Sequence, residues 1–155
     1  MKTERLPEKL LLQNVEILDP LNETNKKGDV LLVNGNIANI GQFEFSKDIK
    51  IINCGGLTLT QGFCDLHVHF RDPGYEDKET LESGSKAALA GGFTRVCTMP
   101  NTKPTIDSPE YIKYIIEKSK KCPIHIHPIG AVTNGQKGQE ISEMGLMKAA
   151  GAIAF

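Results

Sequence analysis

The sequence predicts an α/β protein, with a small β unit over residues 1–59 and the opening of a parallel (β/α)8 barrel over residues 60–155. Three observations carry this. Up to residue 59 the chain shows strand signals alone, and beyond it strand and helix patterns alternate, as in a parallel sheet covered by helices. Polar residues gather at the carboxyl ends of the later strands, where barrel enzymes keep their chemistry. An open doubly wound sheet would instead want a glycine-rich phosphate loop after its first strand, and Arg71-Asp72-Pro73-Gly74 is not one.

In the first part, apolar runs predict strands at 10–18, 30–33, 37–40 and 49–52. Asn34-Gly35 lies between two of these runs and is a strong hairpin signal, because both residues tolerate positive φ. Asp19-Pro20 and Gly55-Gly56 mark further turns, and the unit is expected to be antiparallel. In the second part, 62–70 is the first strand and 77–90 a helix closed by Gly91-Gly92. Residues 93–99 form the second strand, and Ser108-Pro109 opens the next helix with Ser as N-cap and Pro at the first helical position. Ile112, Ile115 and Ile116 make its apolar face, with Lys118, Lys120 and Lys121 at the negative end of its dipole. A third strand is expected at 122–132, a third helix at 139–150 ended by Gly151, and the start of a fourth strand at 152–155. A closed barrel needs eight such units in about 250 residues. The chain is therefore expected to be an incomplete barrel, a fragment of a longer protein, with completion by a partner the lesser alternative.

Charge narrows the function classes. Eighteen basic residues face 19 acidic ones, for a net charge of −1, with no basic block that would mark a nucleic-acid or anionic-membrane surface. The charged start is followed by an apolar patch of only residues 10–12, far shorter than a signal-peptide core or a membrane span. A soluble, cytoplasmic protein is expected. Cys54, Cys64, Cys97 and Cys122 form no C-x-x-C pair and read as reduced thiols in structural roles, a zinc–thiolate site being the minor alternative.

Successive strand residues alternate faces, so Asp65, His67, His69 and Arg71 share one side and Cys64, Leu66, Val68 and Phe70 the other. The second set suits burial against helices. The first set, a carboxylate, two imidazoles and a guanidinium in one row, is costly to bury unless paired or ligated. Two His at i and i+2 on a strand end place their ring nitrogens close enough to share an ion such as Zn²⁺. For an isolated H-x-H, a hydrogen-bonded structural pair is the commoner reading; the rest of the row and the following loop favour the metal. His125 and His127 repeat the spacing at the start of their strand, the stability end of a barrel, and read as structural. Glu76, Asp77, Glu79 and Glu82 surround a helix start and read as a solvated face, while Met144 and Met147 read as packing.

The stretch Gly62-Phe63-Cys64-Asp65-Leu66-His67-Val68-His69-Phe70-Arg71-Asp72-Pro73-Gly74 resembles the signature of class I dihydroorotases in the amidohydrolase superfamily. Thr98-Met99-Pro100-Asn101-Thr102-Lys103-Pro104 resembles that family's second motif, and Pro128-Ile129-Gly130-Ala131-Val132-Thr133 the end of its third strand. The resemblance implies that the N-terminal unit is part of the small β-sandwich accompanying a TIM-like, metal-dependent hydrolase barrel. It implies His67 and His69 as ligands of one or two zinc ions, His69 also as a substrate contact, Arg71 and Asn101 as contacts to the substrate carboxylate, and Asp65 as a residue orienting a ligand His. The implied reaction is the interconversion of N-carbamoyl-L-aspartate and L-dihydroorotate in de novo pyrimidine synthesis, the metal lowering the pKa of a bound water.

Gln61 stands where superfamily members commonly have Pro, a local effect on strand entry. The bridging ligand, further His ligands and the general base are expected beyond Phe155, so this piece alone is expected to be inactive. The implied partner is a small-molecule substrate, with a homodimer or association with aspartate transcarbamoylase as further possibilities. Competing readings are an allantoinase or a dihydropyrimidinase/hydantoinase, which share the ligand pair but have no carboxylate for Arg71 to hold, and a non-catalytic scaffold subunit of aspartate transcarbamoylase, which the intact His67 and His69 disfavour.

Overall fold

The computed structural model describes residues 7–42 and 49–155; the parts of the expected N-terminal segment at 1–6 and 43–48 lie outside the described residues. The chain divides into two compact units, Met1–Gln61 and Gly62–Phe155.

The first unit holds β1 (Lys9–Asp19), β2 (Thr24–Val33), β3 (Asn36–Gly41), β4 (Lys50–Asn53) and β5 (Thr58–Thr60). They form one sheet in the order β3-β2-β1-β4, with β5 also on β1. Asn34 and Gly35 close the β2–β3 hairpin with φ of 50° and 77°, the geometry of a two-residue turn that follows the strand twist. β2 begins well before the apolar run at 30–33. Its polar first half is brought alongside β1 by the turn at Pro20–Asn22, where the Asp19 side chain accepts from Leu21 N. The expectation of an antiparallel unit is corrected: β4 and β5 both run parallel to β1. The cause is connectivity: β4 does not return on β3 as a hairpin but lies on the far side of β1, and only hairpin neighbours are bound to run antiparallel. β1 itself bulges between Leu12 and Val15, where Asn14 takes φ 60°. The bulge separates the β1 edge into a stretch pairing β4 at Leu10–Gln13 and one pairing β5 at Glu16–Leu18. Val15, Ile17, Val30 and Cys54 pack beneath it.

The second unit alternates β6 (Phe63–Val68), α1 (Leu81–Ala90), β7 (Phe93–Thr98), α2 (Pro109–Ser119), β8 (His125–Pro128) and α3 (Met144–Ala150). The three strands are parallel, in the order β6-β7-β8. A parallel bridge of Ile129 with Ala154 starts the next strand position beside β8. Val96 and Ile126 of the sheet meet Leu81 of α1, Ile112 and Ile115 of α2 and Met147 of α3 in one buried cluster. Burying each such side chain contributes roughly 1.5–3 kcal/mol.

Three expected elements are shorter than their sequence patterns, each for a local reason. α1 starts at Leu81, not 77, because Thr80 and Ser83 form a capping box: Thr80 Oγ1 accepts from Ser83 N at 3.0 Å, and Ser83 Oγ from Thr80 N at 2.9 Å. α3 starts at Met144, not 139. A bridge of Thr133 with Ile141 and the Ser142 hydroxyl, donating to Ala131 O at 2.6 Å, hold the preceding residues extended. β8 keeps only four of the residues expected at 122–132, since Lys121 to Ile124 form a turn and bend, and Ile129, still donating to Thr98 O at 3.0 Å, makes only a single bridge to Ala154 beyond the strand. Leu66, expected against the helices, is 71% exposed, because β6 is the sheet edge. Among the described residues, no helix is long and apolar enough to cross a membrane.

Candidate metal centre

The row of polar residues lies where β6 and β7 end side by side. Met99 N donates to Val68 O at 2.9 Å, which carries the parallel pairing past the last strand residue and brings Asn101 beside His69. Asp65 Oδ1 accepts from the backbone N–H of His67 at 3.0 Å, so its carboxylate fixes the strand end and not an imidazole. His67 Nε2 and His69 Nε2 converge to 3.1 Å, with the rings edge-on at 64° and centroids 4.9 Å apart. On the far side of its ring, His69 Nδ1 lies 2.8 Å from Asn101 Oδ1. A carbonyl oxygen can only accept, so that contact puts the proton on Nδ1 and leaves the Nε2 lone pair facing His67.

Two imidazole nitrogens held tetrahedrally at 2.0–2.1 Å from a zinc ion lie about 3.4 Å apart. The observed separation is close to this, so the donor set fits an ion of that kind. The second H-x-H pair behaves differently: the His125 and His127 rings are nearly parallel at 22° with centroids 6.4 Å apart. Burial, then the neighbouring Arg95 and His125, push the His127 imidazole below the ordinary histidine value. Among the described residues no group of three or more His, Cys, Asp or Glu is arranged to hold a metal, so the convergent donors here are the two imidazoles. The four cysteines are free, and burial, with Cys64 and Asp65 adding, pushes the Cys97 thiol up.

Arg71 is half-buried between two buried neighbours, Phe70 and Asp72. Among the described residues, none accepts from its guanidinium. His67, His69 and Asn101 are exposed. The structure thus joins His67, His69, Asn101 and Asp65 by direct contacts and sets Arg71 two residues beyond His69, without a hydrogen bond to any of them. Sequence reasoning assigned Lys118 to the helix dipole and treated Asp72 as loop. The two instead form a salt bridge at 2.7 Å, which no local pattern signals across 46 positions.

A family model described as "Dihydro-orotase-like" matches residues 56–155. A dihydroorotase of Solibacter usitatus is 44% identical over 147 residues, covering 94% of this chain and 34% of that protein. A dihydroorotase of a Sulfurihydrogenibium species is 45% identical over 148 residues, covering 94% and 35%. The chain spans about a third of the length of these curated relatives. Among solved structures, an L-hydantoinase (dihydropyrimidinase) from Arthrobacter aurescens matches with a TM-score of 0.77 over 94% of this chain and 32% of that one. At 22% identity this is a likeness of fold.

Proposed function

The chain belongs to the dihydro-orotase-like family, and from that premise we propose that the whole protein is a dihydroorotase, a zinc-dependent cyclic amidohydrolase interconverting N-carbamoyl-L-aspartate and L-dihydroorotate in pyrimidine biosynthesis. The observation that carries the proposal is the convergence of His67 and His69 at 3.1 Å, with Arg71 two residues on. In this reading His67 and His69 hold the metal through Nε2. The chemistry that a zinc ion held by these two residues would supply is a lowered pKa for water near neutral pH and Lewis-acid polarisation of an amide carbonyl. Arg71 presents a planar fork of donors to the substrate carboxylate, a match a lysine point charge would not give. Asn101 keeps its Oδ1 on His69 and offers its Nδ2 hydrogens to the same carboxylate. Asp65, through the His67 backbone, fixes the strand end from which both imidazoles project.

The remaining ligands and the general base belong, on this proposal, to residues outside these 155, in a completed (β/α)8 barrel accompanied by a β-sandwich. A cytoplasmic enzyme acting on small molecules, as a homodimer or with aspartate transcarbamoylase, is the corresponding cellular reading. The fold likeness to a hydantoinase does not carry that enzyme's substrate over, because hydantoin has no carboxylate for Arg71. Assaying the whole protein on dihydroorotate, hydantoin and allantoin tests this. Dihydroorotate is expected to be the preferred substrate, and Arg71→Ala to lower its kcat/KM on the order of a hundredfold or more, as loss of a charge-assisted bidentate contact does. Preference for hydantoin, or an Arg71→Ala protein with unchanged dihydroorotate turnover, would overturn the assignment.

A further inference from the structure

Asp72, directly after Arg71, has a side chain with 0% exposure. Its Oδ2 accepts from Leu81 N, the first residue of α1, at 3.2 Å. Its Oδ1 accepts from Lys118 Nζ at 2.7 Å and from the Tyr114 hydroxyl at 3.3 Å, both on α2. Lys118 Nζ also donates to Tyr114 Oη at 2.8 Å. Burial alone would pull the Lys118 ammonium down, but its bonds to Asp72 and Tyr114 hold it above the ordinary lysine value. One carboxylate therefore ties the loop to two helices at once.

The same loop is fixed on either side of Arg71. Phe70 is 6% exposed and its ring lies against Gly84 of α1, where an added Cβ would come within 2.5 Å of it. Phe70 and Asp72 are thus both held on the helix side, which leaves Arg71 between them to face the other way. Farther on, Lys103 N donates to Pro73 O at 3.1 Å. Gly74, at φ 93°, packs so tightly on Lys103 that a Cβ there would collide with the Lys103 carbonyl oxygen. This contact joins the Arg71 loop to the loop that carries Asn101.

We propose that the Asp72–Lys118–Tyr114 cluster, with Asp72 fully buried at its centre, is a positioning device that sets the Arg71 guanidinium opposite Asn101, so that the two grip one substrate carboxylate. This rests on the reading of Arg71 as the carboxylate contact. Its mechanism is geometric: Lys118 neutralises and locates Asp72, Asp72 locates the loop, and the loop aims Arg71. A misplacement of about 1 Å at a reacting or binding group can cost on the order of a hundredfold.

The test uses the whole, metal-loaded protein and reads discrimination: the Ki of the neutral carboxamide of dihydroorotate divided by the KM of dihydroorotate. Lys118→Met is expected to raise the KM for dihydroorotate on the order of ten- to a hundredfold, leave the carboxamide Ki within about twofold, and so collapse the ratio. Lys118→Arg, which keeps the charge on Asp72, is expected to restore most of it. Tyr114→Phe, which removes a single hydroxyl at the rim, is expected to shift the ratio in the same direction by a few-fold, and carries the comparison if Lys118→Met does not fold. Arg71→Ala serves as the reference. If Arg71→Ala collapses the ratio while the cluster variants lower only the melting temperature, the positioning role is wrong and the carboxylate reading stands. If Arg71→Ala itself leaves the ratio intact, the carboxylate reading fails first.

Discussion

Asn101 commits its carbonyl to His69 Nδ1 at 2.8 Å and by doing so selects the tautomer whose free Nε2 faces His67. Partners on the far nitrogen of a ligating histidine typically change metal affinity 10- to 100-fold when removed. Asn101→Ala in the whole protein is accordingly expected to weaken zinc binding by about that factor in a chelator competition. Unchanged affinity would show that the contact does not organise the donors. At this scale the sequence was unevenly legible. Alternation on a strand places His67 and His69 on one side from spacing alone, and the structure has their rings converging. The Asn101 contact spans 32 positions and depends on two strand ends lying in register, which periodicity cannot reveal. Asp65, expected to orient a ligand His, takes the backbone N–H of His67 two residues on, a short-range choice that open strand ends offer to acidic side chains.

Thr80, rather than the acidic run before it, decides where α1 begins, since its hydroxyl and that of Ser83 satisfy each other's backbone N–H groups. Thr80→Ala should therefore lower unfolding free energy by about 1 kcal/mol, seen as a lower urea midpoint at unchanged slope. Asp77→Ala, at the start the acidic pattern had indicated, should change it by less than about 0.5 kcal/mol. A larger effect from Asp77 than from Thr80 would contradict this capping. Element types were legible from periodicity because the apolar stripe of α2 is strong, with Ile112 and Ile115 both buried. Ends and pairing were not. The crossover that lays β4 and β5 parallel beside β1 turns an expected antiparallel unit into a mixed sheet, and the three residues of β5 are too few to carry a period.

Taken whole, the second unit presents a three-stranded parallel sheet whose edge strand leaves Phe63 55% and Leu66 71% exposed. Parallel sheets ordinarily keep both faces covered. The chain spans about a third of the length of its curated relatives, and the described residues bring two imidazoles together without a third ligand. These facts agree with a catalytic centre completed by further residues, a count of βα units having pointed the same way. The most direct test of the central claim is dihydroorotate hydrolysis by the whole protein after metal stripping and zinc titration, run beside His67→Ala, His69→Ala and residues 1–155 alone. The account predicts turnover that is lost on stripping and restored by zinc in the unsubstituted protein, and that zinc restores in neither histidine variant nor in the 155-residue chain. Undiminished turnover by the stripped protein, or by either histidine variant, would contradict it.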